Sequence, residues 1–255
     1  MSQNLLNLTG STEQDILDLI ELANSFKSGD LNEYRHENLF PDKKVASFFS
    51  EPSTRTKLSF EIAAYNLGAK FLDFNIENSS IQKGETLEDT IEAMMLMGVD
   101  LCILRHSESV IHDLAKKFSS MQFINAGEGS VAHPSQALID LMTIRESKEA
   151  FKDLKITIVG DLDHSRVVSS FLEAIQIVGF KSITFCGHPD LCKSYLDNPI
   201  GNFEPELETA LQDADVIMAL RIQNERLSEK LSISASDYVE RYQININSLQ
   251  VTSPE

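Results

Sequence analysis

The chain lacks the features that mark membrane, secreted and nucleic-acid-binding proteins. It has no apolar run of about 18 residues, so no transmembrane helix is predicted. Its first residues carry neither a charged segment nor a long apolar core, so they are not expected to form a secretory signal. Lys and Arg number 22 against 39 Asp and Glu, and the net charge of −17 argues against nucleic acid or an anionic membrane as a partner.

Cysteine is scarce as well. The chain has three cysteines, which is an odd number, and no two of them have the spacing of metal ligands. They are Cys102, Cys186 and Cys192. Cys102 and Cys186 lie in apolar runs and are predicted to be small core residues. We therefore expect no metal, and the thiols fit a reducing cytoplasm.

What the chain does contain is an alternation of short apolar runs with helical patterns, which predicts an α/β fold with parallel sheets covered by helices on both faces. The predicted strands are 45–49, 70–74, 101–104 and 122–125 in a first series, then 155–159, 182–186 and 216–220. The predicted helices are 12–27, 54–67, 86–97, 109–118, 134–146 and 166–178.

The second series opens on Ile158-Val159-Gly160-Asp161 and resembles half of a dinucleotide-binding fold. It lacks the G-x-G-x-x-G pattern, which argues against a nucleotide cofactor. A polar stretch near residue 150 predicts a division into two domains, 1–146 and 147–255. Ligands are expected at the carboxyl ends of the strands, in the cleft between the domains.

Residues 53–56 read Ser-Thr-Arg-Thr and open the helix that follows the first predicted strand. The unpaired backbone N–H groups and the dipole at a helix start favour an anion there. The three hydroxyl groups and the guanidinium of Arg55 add donors, so the segment predicts a cradle for an oxyanion. A simpler interpretation is that Ser53 only caps the helix.

Further cations stand at equivalent places in the pattern. Arg105 and Arg221 directly follow predicted strands, and His133 and Arg166 open helices that follow strands. Because the carboxyl ends of parallel strands meet at one edge, we expect these side chains to share one crevice with Arg55. A single Arg at a strand end is more often solvated or in a surface ion pair, but four equivalent placements favour a site.

A polar loop at 78–85 follows the strand at 70–74 and carries Lys83 before a glycine. One interpretation is an ordinary solvated loop. The other is a mobile loop that closes over a phosphate and excludes water.

With these residues in place, the chain resembles the aspartate/ornithine carbamoyltransferase family over about residues 5–250, and most of all its aspartate-specific catalytic chains. Six motifs occur in the family's order. They are Glu-Pro-Ser-Thr-Arg-Thr at 51–56, Ser-x-x-x-Lys-Gly-Glu at 79–85, Arg-His at 105–106, His-Pro-x-Gln-Ala-Leu-x-Asp at 133–140, Gly-Asp at 160–161 with Arg166, and Arg-x-Gln-x-Glu-Arg at 221–226.

The resemblance implies transfer of the carbamoyl group of carbamoyl phosphate to the α-amine of L-aspartate, a step of pyrimidine biosynthesis that needs no cofactor. It implies that the 53–56 segment holds the phosphate, that Arg105, His133 and Thr56 surround the carbonyl oxygen, and that Gln136 binds the carbamoyl amine. The implied ligands of the two aspartate carboxylates are Arg166, Arg221 and Gln223. The implied phosphate ligands are Ser53, Thr54, Arg55 and Thr56.

The resemblance also implies a homotrimer, in which Ser79 and Lys83 reach into the site of a neighbouring subunit. Glu51 is expected to brace Arg166 and Arg226, and Glu225 to brace Arg221. Regulatory chains and assemblies larger than a trimer stay open.

Two alternatives remain at this point. The Ser-Thr-Arg-Thr and His-Pro-x-Gln motifs are shared with ornithine carbamoyltransferases, so the choice of aspartate rests on Ser79, Lys83, Arg221 and Gln223. Family members continue with a His-Pro-x-Pro loop and a further helix beyond the point where this sequence stops, so a catalytically silent carbamoyl phosphate-binding paralogue is the second alternative.

Overall fold

Two parallel sheets organise the chain, and helices pack against both. The computed structural model describes residues 4–28, 39–74, 84–224, 227 and 231–252. The strands are β1 (Lys44–Phe49), β2 (Lys70–Phe74), β3 (Leu101–His106), β4 (Gln122–Glu128), β5 (Lys155–Val159), β6 (Ser182–Cys186), β7 (Asn202–Phe203) and β8 (Val216–Ala219). The helices are α1 (Glu13–Ser28), α2 (Thr54–Asn66), α3 (Leu87–Leu96), α4 (Ile111–Lys117), α5 (Pro134–Ser147), α6 (Arg166–Val178), α7 (Leu207–Leu211) and α8 (Ala235–Tyr242).

The strand order is β2-β1-β3-β4 in the first sheet and β7-β6-β5-β8 in the second. Each pairing between these eight described strands is parallel, which confirms the predicted fold class. The carboxyl ends of β1, β3 and β4 therefore lie along one edge of the first sheet, and those of β5 and β8 along one edge of the second.

The central strands are buried, as their continuous apolar runs predict. In β1, Val45, Ala46 and Phe48 are all buried because helices cover both faces of the strand. The edge strand β2 differs, since Leu72 is 46% exposed. The expectation that helices cover both faces therefore fails at this edge.

The α6 helix matches its predicted bounds and shows why the sequence folds this way locally. The Ser165 side chain accepts a hydrogen bond from Val168 N, which caps the first turn. Gly179 follows the last turn at φ 88°, a conformation that residues with a side chain rarely adopt.

Three short elements were not predicted, namely β7, α7 and α8. A five-residue helix or a two-residue strand is too short to show a periodicity in its sequence. Burial of Leu207 and Leu211 against the second sheet stabilises α7 instead.

The core of the second sheet extends into helices from the first half of the chain. Ile16 and Ile20 of α1 and Leu141 of α5 share one buried apolar cluster with Phe171 and Ile175 of α6. Surface ion pairs join the same elements, with Lys27 Nζ 2.6 Å from Glu146 Oε1. No helix in the described ranges combines the length and the apolar composition needed to cross a membrane.

Candidate active site

A cavity of about 1130 Å³ opens where the carboxyl ends of the strands of both sheets face each other. Ser79 and Lys83 lie outside the described residues, and the other ten predicted site residues line this cavity. These are Ser53, Thr54, Arg55, Thr56, Arg105, His133, Gln136, Arg166, Arg221 and Gln223.

Two helix starts face the cavity without a side-chain cap. Ser53 occupies the N-cap position of α2, yet its hydroxyl makes no capping hydrogen bond. His133 occupies the N-cap position of α5, again without a capping hydrogen bond from its side chain. The interpretation of Ser53 as a simple cap is therefore wrong, and the first turn of α2 lies at the cavity with its N–H groups. The first residue of α5 is Pro134, which has no N–H group to offer.

Glu51 holds two guanidinium groups at the cavity wall. Its Oε2 accepts a hydrogen bond of 3.2 Å from Arg105 Nε and one of 2.9 Å from Arg166 Nη2. Arg166 is only 5% exposed, and its Nη1 also donates to the carbonyl of Gly129 at 3.0 Å. These contacts fix both positive charges before any ligand arrives.

Gly127 provides the space in which Arg166 lies. A Cβ atom at residue 127 would stand 2.9 Å from Nε and Cζ of Arg166, and the backbone φ is +122°. A side chain at this position would therefore clash with the guanidinium and strain the backbone.

His133 is buried beside the two braced arginines. Burial, followed by the charges of Arg166 and Arg105, lowers its pKa to about 3. The imidazole is therefore neutral at physiological pH and acts as a hydrogen-bonding group, not as a cation. Its Nδ1 lies 3.3 Å from the Ser135 hydroxyl, which leaves Nε2 as the ring nitrogen available to a ligand.

Asp161 organises the wall contributed by the second sheet. It is fully buried at the end of β5, and its Oδ2 accepts a hydrogen bond from Gln223 N at 2.9 Å. Its Oδ1 lies 2.7 Å from His164 Nδ1. One carboxylate thereby ties the β5 loop to the segment that carries Arg221 and Gln223.

The arrangement concentrates positive charge and hydrogen-bond donors in a protein whose net charge is −17. Such a site can bind anionic groups and stabilise negative charge that develops during a reaction. In the described ranges, no group of three or more His, Cys, Asp or Glu side chains is placed to hold a metal ion.

Comparison with known proteins identifies the family. Residues 3–146, more than half of the chain, match the family described as "Aspartate/ornithine carbamoyltransferase, carbamoyl-P binding domain". The chain belongs to the aspartate/ornithine carbamoyltransferase family.

Two relatives in this family are named aspartate carbamoyltransferase catalytic subunit. That of Coxiella burnetii (strain RSA 493 / Nine Mile phase I) is 42% identical over 91% of this chain and 75% of its own length. That of Caldanaerobacter subterraneus subsp. tengcongensis is 38% identical over 96% of this chain and 80% of its own length.

Solved structures agree with the family assignment. Aspartate transcarbamoylase from Trypanosoma cruzi, in complex with carbamoyl aspartate and phosphate, superposes with a TM-score of 0.87 at 27% sequence identity. The match covers 99% of this chain and 82% of that one.

For this member of the carbamoyltransferase family, the sequence did not predict some of the contacts at the site. Other predicted contacts involve residues that the structure does not describe. The sequence did not predict the Glu51–Arg105 contact, the space that Gly127 leaves for Arg166, or the hydrogen bond from Gln223 N to Asp161. The glycine-rich run at 125–129 was the available signal for the second of these. Arg226 and Glu225, the expected partners of Glu51 and Arg221, lie outside the described residues.

Proposed function

We propose that the chain is an aspartate carbamoyltransferase, which converts carbamoyl phosphate and L-aspartate into N-carbamoyl-L-aspartate and phosphate. The observation that carries the proposal is that Arg55, Arg105, Arg166 and Arg221 all line the same cavity. The names of the relatives and of the matched structures support the same activity.

The start of α2 is the place for the phosphate group. Ser53, Thr54 and Thr56 supply hydroxyl donors, and Arg55 supplies a fork of N–H groups, all at the positive end of the helix. As the bond to phosphate breaks, negative charge grows on the departing oxygen, and these donors stabilise it.

Arg105, Thr56 and neutral His133 are proposed to contact the carbonyl oxygen of the carbamoyl group. The uncharged α-amine of aspartate forms a bond to the carbamoyl carbon, and the bond from that carbon to the phosphate oxygen breaks. The nitrogen loses one proton, which the departing phosphate can accept. Orientation and prearranged charge account for the rate, without a protein nucleophile.

The choice of aspartate rests on Arg221, Gln223 and Arg166 at the second sheet. A dicarboxylate gains a cationic contact from Arg166 and a second from Arg221, whereas the side-chain ammonium of ornithine is repelled by them. The test is steady-state turnover with carbamoyl phosphate and either amino acid. We expect turnover with aspartate, and faster turnover with ornithine would overturn the assignment.

Calorimetric titration with a phosphonate-succinate bisubstrate mimic distinguishes the enzyme from a silent binding protein. Because the mimic occupies the positions of both substrates, an enzyme should bind it far more tightly than inorganic phosphate. Binding no tighter than that of phosphate alone would indicate a silent paralogue.

We also propose that the active unit is a homotrimer, with Ser79 and Lys83 acting in a neighbouring subunit's site. Leu58, Ile62 and Tyr65 form a stripe on α2 that is 49%, 57% and 80% exposed, a surface that fits burial against another copy. Sedimentation velocity should show a trimer, and co-assembled Lys83→Ala and Arg105→Ala chains should regain activity. A fully active monomer would contradict this.

The remaining proposals concern context. N-carbamoyl-L-aspartate is the product expected of a step in pyrimidine biosynthesis. The three buried, unbridged cysteines fit a reducing cytoplasm as the compartment. We keep 146/147 as the proposed domain boundary, with carbamoyl phosphate bound mainly by the first domain and aspartate mainly by the second.

A further inference from the structure

Gln136 and Asp140 lie one turn apart on α5, and only Gln136 lines the cavity. The Nε2 group of Gln136 donates a hydrogen bond of 2.9 Å to Oδ1 of Asp140. Asp140 therefore stands behind a residue of the site and contacts the cavity only through it.

Asp140 is an unfavourable residue for stability at this place. Its second oxygen, Oδ2, is buried and has no hydrogen-bond partner among the residues that the structure describes. Burial also raises the pKa of its carboxyl group to about 6, which shows that the ionised form is disfavoured by the surroundings. A buried carboxylate that is half satisfied costs stability, and such local violations are expected where a residue serves function.

The chemistry of a carboxylate decides how Gln136 is oriented. At pH 8 the group is ionised and can only accept hydrogen bonds, so it selects the amide orientation in which the NH₂ group faces Asp140. The amide oxygen Oε1 is then directed away from Asp140, and no residue in the described ranges occupies it with a hydrogen bond. Gln136 thus offers its amide oxygen as an acceptor on the side away from Asp140.

We propose that Asp140 is a positioning residue that fixes the Gln136 amide oxygen as an acceptor, so that the site selects an acyl phosphate carrying an N–H group. This inference rests on the proposed function and adds a selectivity device to it. Carbamoyl phosphate has the required NH₂ group. Acetyl phosphate, which has a methyl group in its place, does not use the acceptor.

The test compares dissociation constants of carbamoyl phosphate and acetyl phosphate, measured by calorimetry at pH 8 without an amino acid. Asp140→Ala should weaken carbamoyl phosphate by about 3- to 10-fold and change acetyl phosphate by less than about twofold, because only one neutral hydrogen bond is lost. Gln136→Ala should behave in the same way. Glu149→Ala, which removes an exposed carboxylate two residues beyond α5, is the matched control and should change neither constant.

Asp140→Asn gives a second, isosteric test that does not depend on how well the Ala variant folds. Its amide can accept from or donate to Gln136, so both orientations are allowed and the preference for carbamoyl phosphate should fall by less than in the Ala variant. Equal loss for both acyl phosphates, or no loss in either Asp140 variant, would overturn the inference. Since binding is measured without turnover, an inactive wild type would overturn the proposed function separately.

Discussion

The first sheet has an ion pair at each end of the neighbouring strands β1 and β3, and the two differ in burial more than in distance. At the amino ends, Lys43 Nζ lies 2.7 Å from Asp100 Oδ1, with side chains 58% and 33% exposed. At the carboxyl ends, Glu51 Oε2 lies 3.2 Å from Arg105 Nε and 2.9 Å from Arg166 Nη2. The side chains of Glu51, Arg105 and Arg166 are 24%, 14% and 6% exposed.

The shorter contact is expected to be the weaker one. Water and salt screen the exposed pair, and holding two long side chains together opposes the gain. At the carboxyl ends the charges are largely removed from water, so each depends on its partner for both stability and orientation. Burial thus turns an ordinary ion pair into a prearranged positive wall, at the end of the strands where ligands bind.

The largest effect is expected when that wall loses the charge nearest the reaction. Arg105→Ala should lower the turnover number by about 10²–10³-fold or more, the usual effect of losing one donor to a developing oxyanion. The variant should stay folded because Glu51 retains its contact with Arg166. Steady-state assays with circular dichroism test this, with Arg145→Ala, an exposed arginine outside the cavity, as the control. Near-normal turnover would contradict the role of Arg105.

Replacing Glu51, the carboxylate that holds Arg105 and Arg166, should affect stability and function together. Glu51→Gln keeps the shape but leaves Arg166 buried without a carboxylate. Breaking a buried pair costs about 3–5 kcal/mol, and the partial exposure of Glu51 places the expected loss at about 2–3 kcal/mol. Urea unfolding measures this loss, and the Michaelis constant for aspartate should rise about tenfold because Arg166 loses its orientation. Wild-type stability in this variant would show that burial does not determine the value of the pair.

A third test uses the pKa of His133, which burial and then the charges of Arg166 and Arg105 hold low. The folded-state pKa of His133 is about 3, well below its ordinary value of 6.5, so the unfolded chain takes up the proton first on acidification. His133 therefore contributes full stability above pH 6.5 and progressively less as the pH falls from 6.5 towards 3. The decline is at most about 1.4 kcal/mol per pH unit.

Urea unfolding at a series of pH values shows this contribution as a difference between the wild type and His133→Gln. The gap between the two unfolding free energies should shrink as the pH falls from 6.5 to 4. An equal slope in both proteins would mean that His133 is not held neutral by its surroundings.

Sequence reasoning could anticipate the edge of the sheet but not the contacts within it. Strand ends and helix starts follow from local periodicity and turn residues, so Arg55, Arg105, Arg166 and Arg221 could be placed at one crevice. That Glu51 would hold Arg105 as well as Arg166 depends on the register of β1 against β3, which pairs Phe49 with Arg105.

The same limit applies to burial. Nothing in the local pattern of α5 distinguishes Asp140 from an exposed acid on a helix, although its second oxygen is buried and has no partner in the described part of the chain. Gly127 and the guanidinium of Arg166 lie against each other although they are 39 positions apart in the sequence, so only the fold reveals this contact. The roles assigned to the residues of the cavity remain predictions.

The smallest effect is expected at the opposite end of β1 and β3. Lys43→Ala should change the unfolding free energy by less than about 1 kcal/mol, and less still at high salt, because the pair is exposed and screened. Turnover should be unchanged, since Lys43 does not line the cavity.

Asp100 is not equivalent to its partner, because its Oδ2 also accepts a hydrogen bond of 2.9 Å from Lys44 N. Asp100→Ala should therefore lower the unfolding free energy by more than Lys43→Ala does. A double-mutant cycle isolates the pair, and a coupling as large as that between Glu51 and Arg166 would remove burial as the reason the two ends differ.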